Sequence, residues 1–254
     1  IMGKYTVCLN YGNAAKGHRA NGFTTNGGFA QYALNHINTV HRIPDHVAFN
    51  DAALITNLGC ILYGFQTVGG YVVGDNVAVI GPGPLGLVSV AVAKTLCAGK
   101  VFLVGTRESR LEMGKKMGAD RLINIHNEDP VQVIRDETGG LGADLVIESS
   151  GANQGVQNAL EMSKRMGKVL LVGYPHKPVA ADFNLMGSRN IHIFSIRGEG
   201  WANCSRAVSM LERKRISLKP LATHSFPLDQ IEEAFKTFVE RIGGAVKVIV
   251  QPNA

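Results

Sequence analysis

Residues 76–96 read NVAVIGPGPLGLVSVAVAKTL: an apolar run, a knot of glycine and proline, and a second apolar run. Val77-Ala78-Val79-Ile80 is short and unbroken, as in a strand covered on both faces. After the knot, Leu85, Val88, Ala91, Val92 and Thr95 recur at helical spacing. Between them Gly81-Pro82-Gly83-Pro84-Leu85-Gly86 is a G-x-G-x-x-G. In a strand–turn–helix setting the first glycine makes the tight turn and the second lets backbone approach a pyrophosphate. The third lets helix and strand pack closely. The helix N-terminus then offers amides and the positive end of its dipole to the phosphates. A chain with 30 glycines can produce the pattern by accident. The flanking strand and helix make it specific.

Alternation continues outward. Lys100–Val104 reads as a strand, Ser109–Met117 as a helix, Arg121–Asn124 as a strand and Pro130–Thr138 as a helix opened by proline. Ala143–Ile147 is a strand, Gln154–Arg165 a helix, Lys168–Val172 a strand, and Ile191–Phe194 a last strand. This predicts an α/β fold, a doubly wound parallel sheet of six strands in the order 3-2-1-4-5-6. The flanks differ. Residues 1–50 are rich in Gly, Asn, Thr and His, with strand-like pieces at 28–33 and 39–43. Toward the other end, 221–227 and 245–250 read as strands around an amphipathic helix, Asp229–Arg241, burying Ile231, Ala234, Phe235 and Phe238. The expectation is a β-rich unit split in sequence, with boundaries 1–57, 58–196 and 197–254.

Composition narrows the function. Hydrophobic residues make up 45% of 254, enough for a substantial core, and the formal charge is only +6. No run of Lys and Arg interleaved with aromatics marks a nucleic-acid surface. The longest uncharged stretch, 52–74, carries five glycines with Asn57 and Gln66, which suits a helix packed within protein better than a membrane span. Cys8, Cys60, Cys97 and Cys204 lie far apart without a C-x-x-C pair, which implies a reducing, cytoplasmic setting.

The second strand decides between dinucleotides. An Asp or Glu about twenty residues past the first glycine hydrogen-bonds the ribose 2′-OH of NAD. Here the strand ends Val104-Gly105-Thr106-Arg107, without an acid. Gly105 leaves room for a 2′-phosphate, Thr106 offers a hydroxyl, and Arg107 can bind phosphate oxygens bidentately, with Arg110 one turn on. The expectation is NADP, with NAD as the alternative. Against it, Thr106 could simply cap the helix, Arg107 could be a solvated charge, and Glu108 could reach the ribose.

The segments GFTTNGGFAQYA (22–33), HRIPDHVAFNDAALI (41–55), GDNVAVIGPGPLGL (74–87), MGADRLIN (117–124), THSFPLDQIEEAF (223–235) and GGAVKVIV (243–250) together resemble the medium-chain dehydrogenase/reductases, in the zinc-dependent alcohol and polyol dehydrogenase branch. The resemblance covers nearly the whole chain. It implies a Rossmann domain inserted in a partial GroES-like domain. It also implies hydride transfer between NAD(P) and a secondary alcohol or polyol, zinc as Lewis acid, and a homodimer or homotetramer. It adds Pro84, Leu85, Gly173 and Lys247 to Gly81, Gly83 and Gly86 as cofactor contacts. Alternatives are a zinc-free enone or quinone reductase of the same superfamily, or an inactive nucleotide-binding fragment.

Departures from the pattern concern the metal. Family members carry a further N-terminal segment with the catalytic Cys and His–Glu ligands and three structural cysteines. Cys8 sits where the fourth structural cysteine falls, and a zinc site needs about four ligands. Cys8 is therefore an orphan ligand, and the chain alone is expected to show little alcohol dehydrogenase activity. Thr56 takes the place of an acidic residue, and Cys60 reads as a packed small residue. His18, His36, His41 and His224 read as surface or structural, and Trp201 and Cys204 carry no assigned chemistry.

Overall fold

The computed structural model describes residues 8–11, 13–16, 20–70, 72–200 and 202–253. After 3-10 turns at Ala14–Lys16 and Ile37–Thr39 come two α-helices, α1 (Phe49–Ala52) and α2 (Ile55–Thr67). An alternating series follows: β1 (Asn76–Ile80), α3 (Pro84–Thr95), β2 (Lys100–Gly105), α4 (Glu108–Lys116), β3 (Arg121–Asn124), α5 (Pro130–Asp136) and β4 (Ala143–Glu148). It continues with α6 (Gly155–Met162), β5 (Ser163–Leu171), α7 (Phe183–Arg189) and β6 (His192–Ser195). The chain ends with α8 (Asn203–Glu212), β7 (Ala222–Pro227), α9 (Ile231–Glu240) and β8 (Lys247–Gln251). The chain divides into two units, 60–196 and a split unit of 1–59 with 197–254.

In the continuous unit all six strands are parallel, in the order β3-β2-β1-β4-β5-β6. This is the order expected from the sequence. Val77, Ala78 and Val79 are all fully buried, so both faces of β1 are covered, which explains the unbroken apolar run. The core runs from Phe102, Val104 and Ile123 through Val146 and Val169 to Ala159 and Leu160. Order reverses between β1 and β4, opening a crevice beyond their C-terminal ends.

One helix ends early. Ser163, expected inside the helix that starts near Gln154, is extended and pairs with Ala143. Its hydroxyl donates to Ala159 O at 2.8 Å, closing α6. Met166 turns the chain at φ +58° before pairing resumes between Leu145 and Lys168. Helix α7 went unread in the sequence; it is capped by Asp182, which accepts from Asn184 N at 2.9 Å and Leu185 N at 3.3 Å.

In the split unit, β7 and β8 pair in parallel and α9 packs on both. Two expectations fail here. Residues 28–33 and 39–43 form no strand; among the described residues before β1 there is a single isolated bridge, Asn21 with Thr25. Apolar alternation without a neighbouring strand leaves the backbone groups unpaired, and no ladder forms. On α9 the buried residues are Ala234 and Thr237, whereas Phe235 and Phe238 are each 51% exposed. The small residues let the helix approach the strand pair, and the phenylalanines splay to its flanks. Phe235 meets Phe29 edge to face, with ring centroids 5.7 Å apart.

Among the described residues no helix is long and apolar enough to cross a membrane. The stretch 52–74 contains α2, which buries Leu58, Ile61 and Phe65.

Candidate functional site

The glycine turn sits at the C-terminal end of β1 and opens α3. Gly81 has φ +97°, and a Cβ there would lie 2.8–2.9 Å from Ser150 atoms. A Cβ on Gly86 would fall 1.9 Å from Gly81 O and 2.6 Å from Ser149 Oγ. Gly83 is different: nothing lies within 4 Å of its Cβ position. So the outer glycines are required by packing, and the middle one borders open space. Gly83 is the N-cap and gives no side-chain cap, and Pro84 follows at the first helical position. The amides of Leu85 and Gly86 therefore have no intrahelical acceptor and are available to an anion. The open cradle and the uncapped helix end fit a dinucleotide pyrophosphate.

At the end of β2, Gly105 has a steric reason beyond leaving room for a ligand. Its Cβ would lie 2.6 Å from Pro82 Cγ and 3.2 Å from Leu111 Cδ2, so an Asp or Glu cannot stand there without moving the glycine turn. Thr106 and Arg107 are exposed. The N-cap of α4 is Arg107, in extended conformation, with no side-chain cap. Thr106 precedes the cap and does not perform it. Glu108 accepts from Asn124 Nδ2 at 3.4 Å. Arg110 is half-buried, and desolvation lowers its pKa from the ordinary arginine value.

Gly173, after β5, is held tightly: a Cβ would fall 2.4 Å from Gly151 N and 2.8 Å from Glu148 Oε2. The fold thus brings Gly81, Gly83, Pro84, Leu85, Gly86, Thr106, Arg107, Arg110 and Gly173 to one unit, around the C-terminal edge of its sheet. Lys247 and Cys8 belong to the split unit. Lys247 Nζ lies 3.4 Å from Asn57 Oδ1 beside Phe29, Phe235 and Phe238, and burial lowers its pKa.

Sequence reasoning missed the turn after β4. Ser149 Oγ lies 2.8 Å from Ile80 O and 2.9 Å from Gly81 O, clamping the glycine turn from β4. The readable sign was Glu148-Ser149-Ser150-Gly151, an acid and two hydroxyls closing a buried apolar strand.

The histidines and cysteines show local roles. His36 Nδ1 accepts from Asn38 N at 3.2 Å, His41 Nδ1 lies 3.3 Å from Ser205 Oγ, and His224 Nδ1 lies 3.0 Å from Thr223 Oγ1. His18 and Trp201 lie outside the described residues. None of the four cysteines is in a disulfide, and Cys8, Cys60 and Cys204 are partly buried. Burial, followed by the charge of Glu199, pushes the Cys204 thiol up to about 11. Among the described residues no group of three or more His, Cys, Asp or Glu is placed to hold a metal ion. They do not fit a zinc site, and no chemistry is assigned to zinc on this chain.

A family profile described as zinc-binding dehydrogenase matches residues 84–213, just over half of the chain. L-threonine 3-dehydrogenase of Bacillus subtilis (strain 168) is 33% identical over 254 residues, covering 99% of this chain and 70% of that protein. This chain belongs to the zinc-binding dehydrogenase family. Sorbitol dehydrogenase of Bos taurus is 31% identical over 232 residues, 89% of this chain and 64% of that one. A solved structure described as a zinc-binding dehydrogenase from Sinorhizobium meliloti 1021, bound to NADP, superposes with a TM-score of 0.85 at 25% identity. It covers 92% of this chain and 68% of that one. The chain spans about two thirds of the length of the curated relatives it matches.

Proposed function

We propose that this chain is the cofactor-binding body of an NADP-dependent dehydrogenase that exchanges hydride between the nicotinamide and a secondary alcohol or polyol and its ketone. The observation that carries the reading is the division among the three glycines. Gly81 and Gly86 have no space for a side chain, while Gly83 faces open space at a helix N-terminus. In this reading Gly83 admits the pyrophosphate, and the Leu85 and Gly86 amides donate to it. Thr106 and Arg107 hold the adenosine 2′-phosphate, with Arg110 adding charge from the next turn. Gly173 lines the other mononucleotide half. The bound nicotinamide supplies the hydride acceptor or donor. The chain's own residues orient it and neutralise its phosphates.

The relatives named above support an alcohol or polyol as substrate class, and the bound NADP of the Sinorhizobium protein supports the choice of dinucleotide. The same proposal includes a partial GroES-like identity for the split unit, assembly as a homodimer or homotetramer, and a cytoplasmic setting. Four cysteines without a disulfide support the last. The test is titration of the purified chain with NADPH, followed by the fluorescence of the reduced nicotinamide. Saturable binding at micromolar concentrations is expected. Absence of binding into the millimolar range overturns the reading.

A further inference from the structure

Glu148 closes β4, and its register partner on β1 is Ile80, the residue before the glycine turn. Among the described residues it is the only charged side chain that is fully buried. A carboxylate taken out of water persists only where donors surround it, and these donors come from loops. Ser150 N–H donates to Oε1 at 2.9 Å and the Ser150 hydroxyl donates to the same oxygen. Gly151 N–H donates to Oε2 at 3.2 Å. The main-chain carbonyl of Glu148 accepts from Val172 N at 2.8 Å and Gly173 N at 2.9 Å. Space around the carboxylate is exhausted, since a Cβ on Gly155 would lie 2.6 Å from Oε1.

One dipeptide therefore couples three turns. Ser149 holds the turn after β1, the Glu148 carboxylate holds its own loop, and the Glu148 main-chain carbonyl ties in the turn after β5. These turns border the crevice where the strand order reverses. We propose that Glu148 is a positioning residue for the cofactor, its carboxylate acting through the Ser150–Gly151 turn that it binds and the Gly173 turn that packs against it, on the nicotinamide half. The inference rests on the dinucleotide reading above. In that reading β1 and β2 hold the adenosine half, so the turns after β4 and β5 face the other mononucleotide. A buried carboxylate is a poor way to gain stability alone, because a well-packed apolar side chain serves at least as well. It is a good way to fix a backbone turn in one orientation.

The test separates the two halves of the ligand. Wild type, Glu148→Gln and Ser150→Ala are titrated calorimetrically with NADP and with adenosine 2′,5′-bisphosphate, which lacks the nicotinamide half. Glu148→Gln should weaken NADP about tenfold and leave the bisphosphate within about twofold. Ser150→Ala, at an exposed position, should weaken NADP about threefold with the same selectivity, and it decides the matter if Glu148→Gln does not fold. Equal weakening of both ligands makes Glu148 merely structural and overturns the proposal, as does no weakening of either. If the wild type binds neither ligand, the dinucleotide reading itself falls and takes this one with it. If it binds both but the selective loss is missing, only this proposal falls.

Discussion

Replacing Gly83 and Gly86 separately by alanine separates ligand space from packing space. At Gly86 the new Cβ would sit 1.9 Å from Gly81 O, and ordinary contact begins at 3.4 Å. The start of α3 must therefore back away by about 1.5 Å, or the turn after β1 must open. Neither neighbour is a flexible side-chain end: one is backbone, and the other, Ser149 Oγ, is bonded to that backbone. Overpacking of this kind costs about 1–3 kcal/mol, and a backbone obstacle puts Gly86→Ala near the upper end. At Gly83 the Cβ meets nothing within 4 Å, and φ −82°, ψ 179° suits any residue. Reduced freedom of the unfolded chain stabilises Gly83→Ala by about 0.4–1 kcal/mol. Alanine is a poorer N-cap than glycine by a similar amount. The two nearly cancel, and stability should stay within about 1 kcal/mol of wild type. Urea unfolding measures both variants. NADP titration should then show Gly83→Ala weakened by tenfold or more, about 1.4 kcal/mol, although its fold is intact. Wild-type NADP affinity in Gly83→Ala, or wild-type stability in Gly86→Ala, refutes this assignment of roles.

Two further predictions concern Glu137 and Cys204. The Lys100 hydrogen bond, at 2.5 Å, holds the Glu137 carboxyl below its ordinary pKa; burial opposes this and the Arg121 hydrogen bond assists it. Because the folded-state pKa is depressed, the stabilisation is present above the unfolded value and is lost as pH falls through the folded one. Glu137→Gln should therefore cost less than about 1 kcal/mol near neutral pH, since the pairs are partly exposed. Urea unfolding should show the gap closing by about pH 2, and a gap that persists in acid contradicts the ion-pair account. Cys204, whose thiol is pushed up to about 11, should alkylate at least about tenfold more slowly than exposed Cys97 near pH 8, because the thiolate is the nucleophile. Mass spectrometry of iodoacetamide-treated protein checks this, and equal rates refute it.

The Rossmann sheet was legible because buried parallel strands leave a plain trace. Val77–Ile80 and Val101–Val104 are apolar without alternation, and the glycine turn lies between strand and helix. The flanks were less legible. Residues 28–33 alternate as a strand does, but a strand exists only through its neighbours, and Phe29 and Tyr32 are exposed. Periodicity on α9 predicted burial for Phe235, but contact with a two-stranded sheet selects the smaller Ala234 and Thr237. In the candidate site, the packing demand at Gly81 and Gly86 could be read because it depends on local backbone. Glu148 and Ser149 left a sign in the sequence, but their partners could not be read from it, because those lie in turns far away along the chain, Gly81 for Ser149 and Gly173 for the Glu148 main chain. Gly105 shows the limit from the other side. The absence of an acid was readable, but its contact with Pro82 was not.

Thr106 and Arg107 at the end of β2 are proposed to read a 2′-phosphate. Binding of NADP and NAD to the wild type and to Arg107→Ala tests it most directly. The account predicts that the wild type prefers NADP. It predicts that Arg107→Ala loses about 1–3 kcal/mol of NADP affinity, as for a hydrogen bond to a charged group, while NAD binding stays unchanged. NAD binding as tightly as NADP in the wild type, or a substitution that weakens neither selectively, would contradict it.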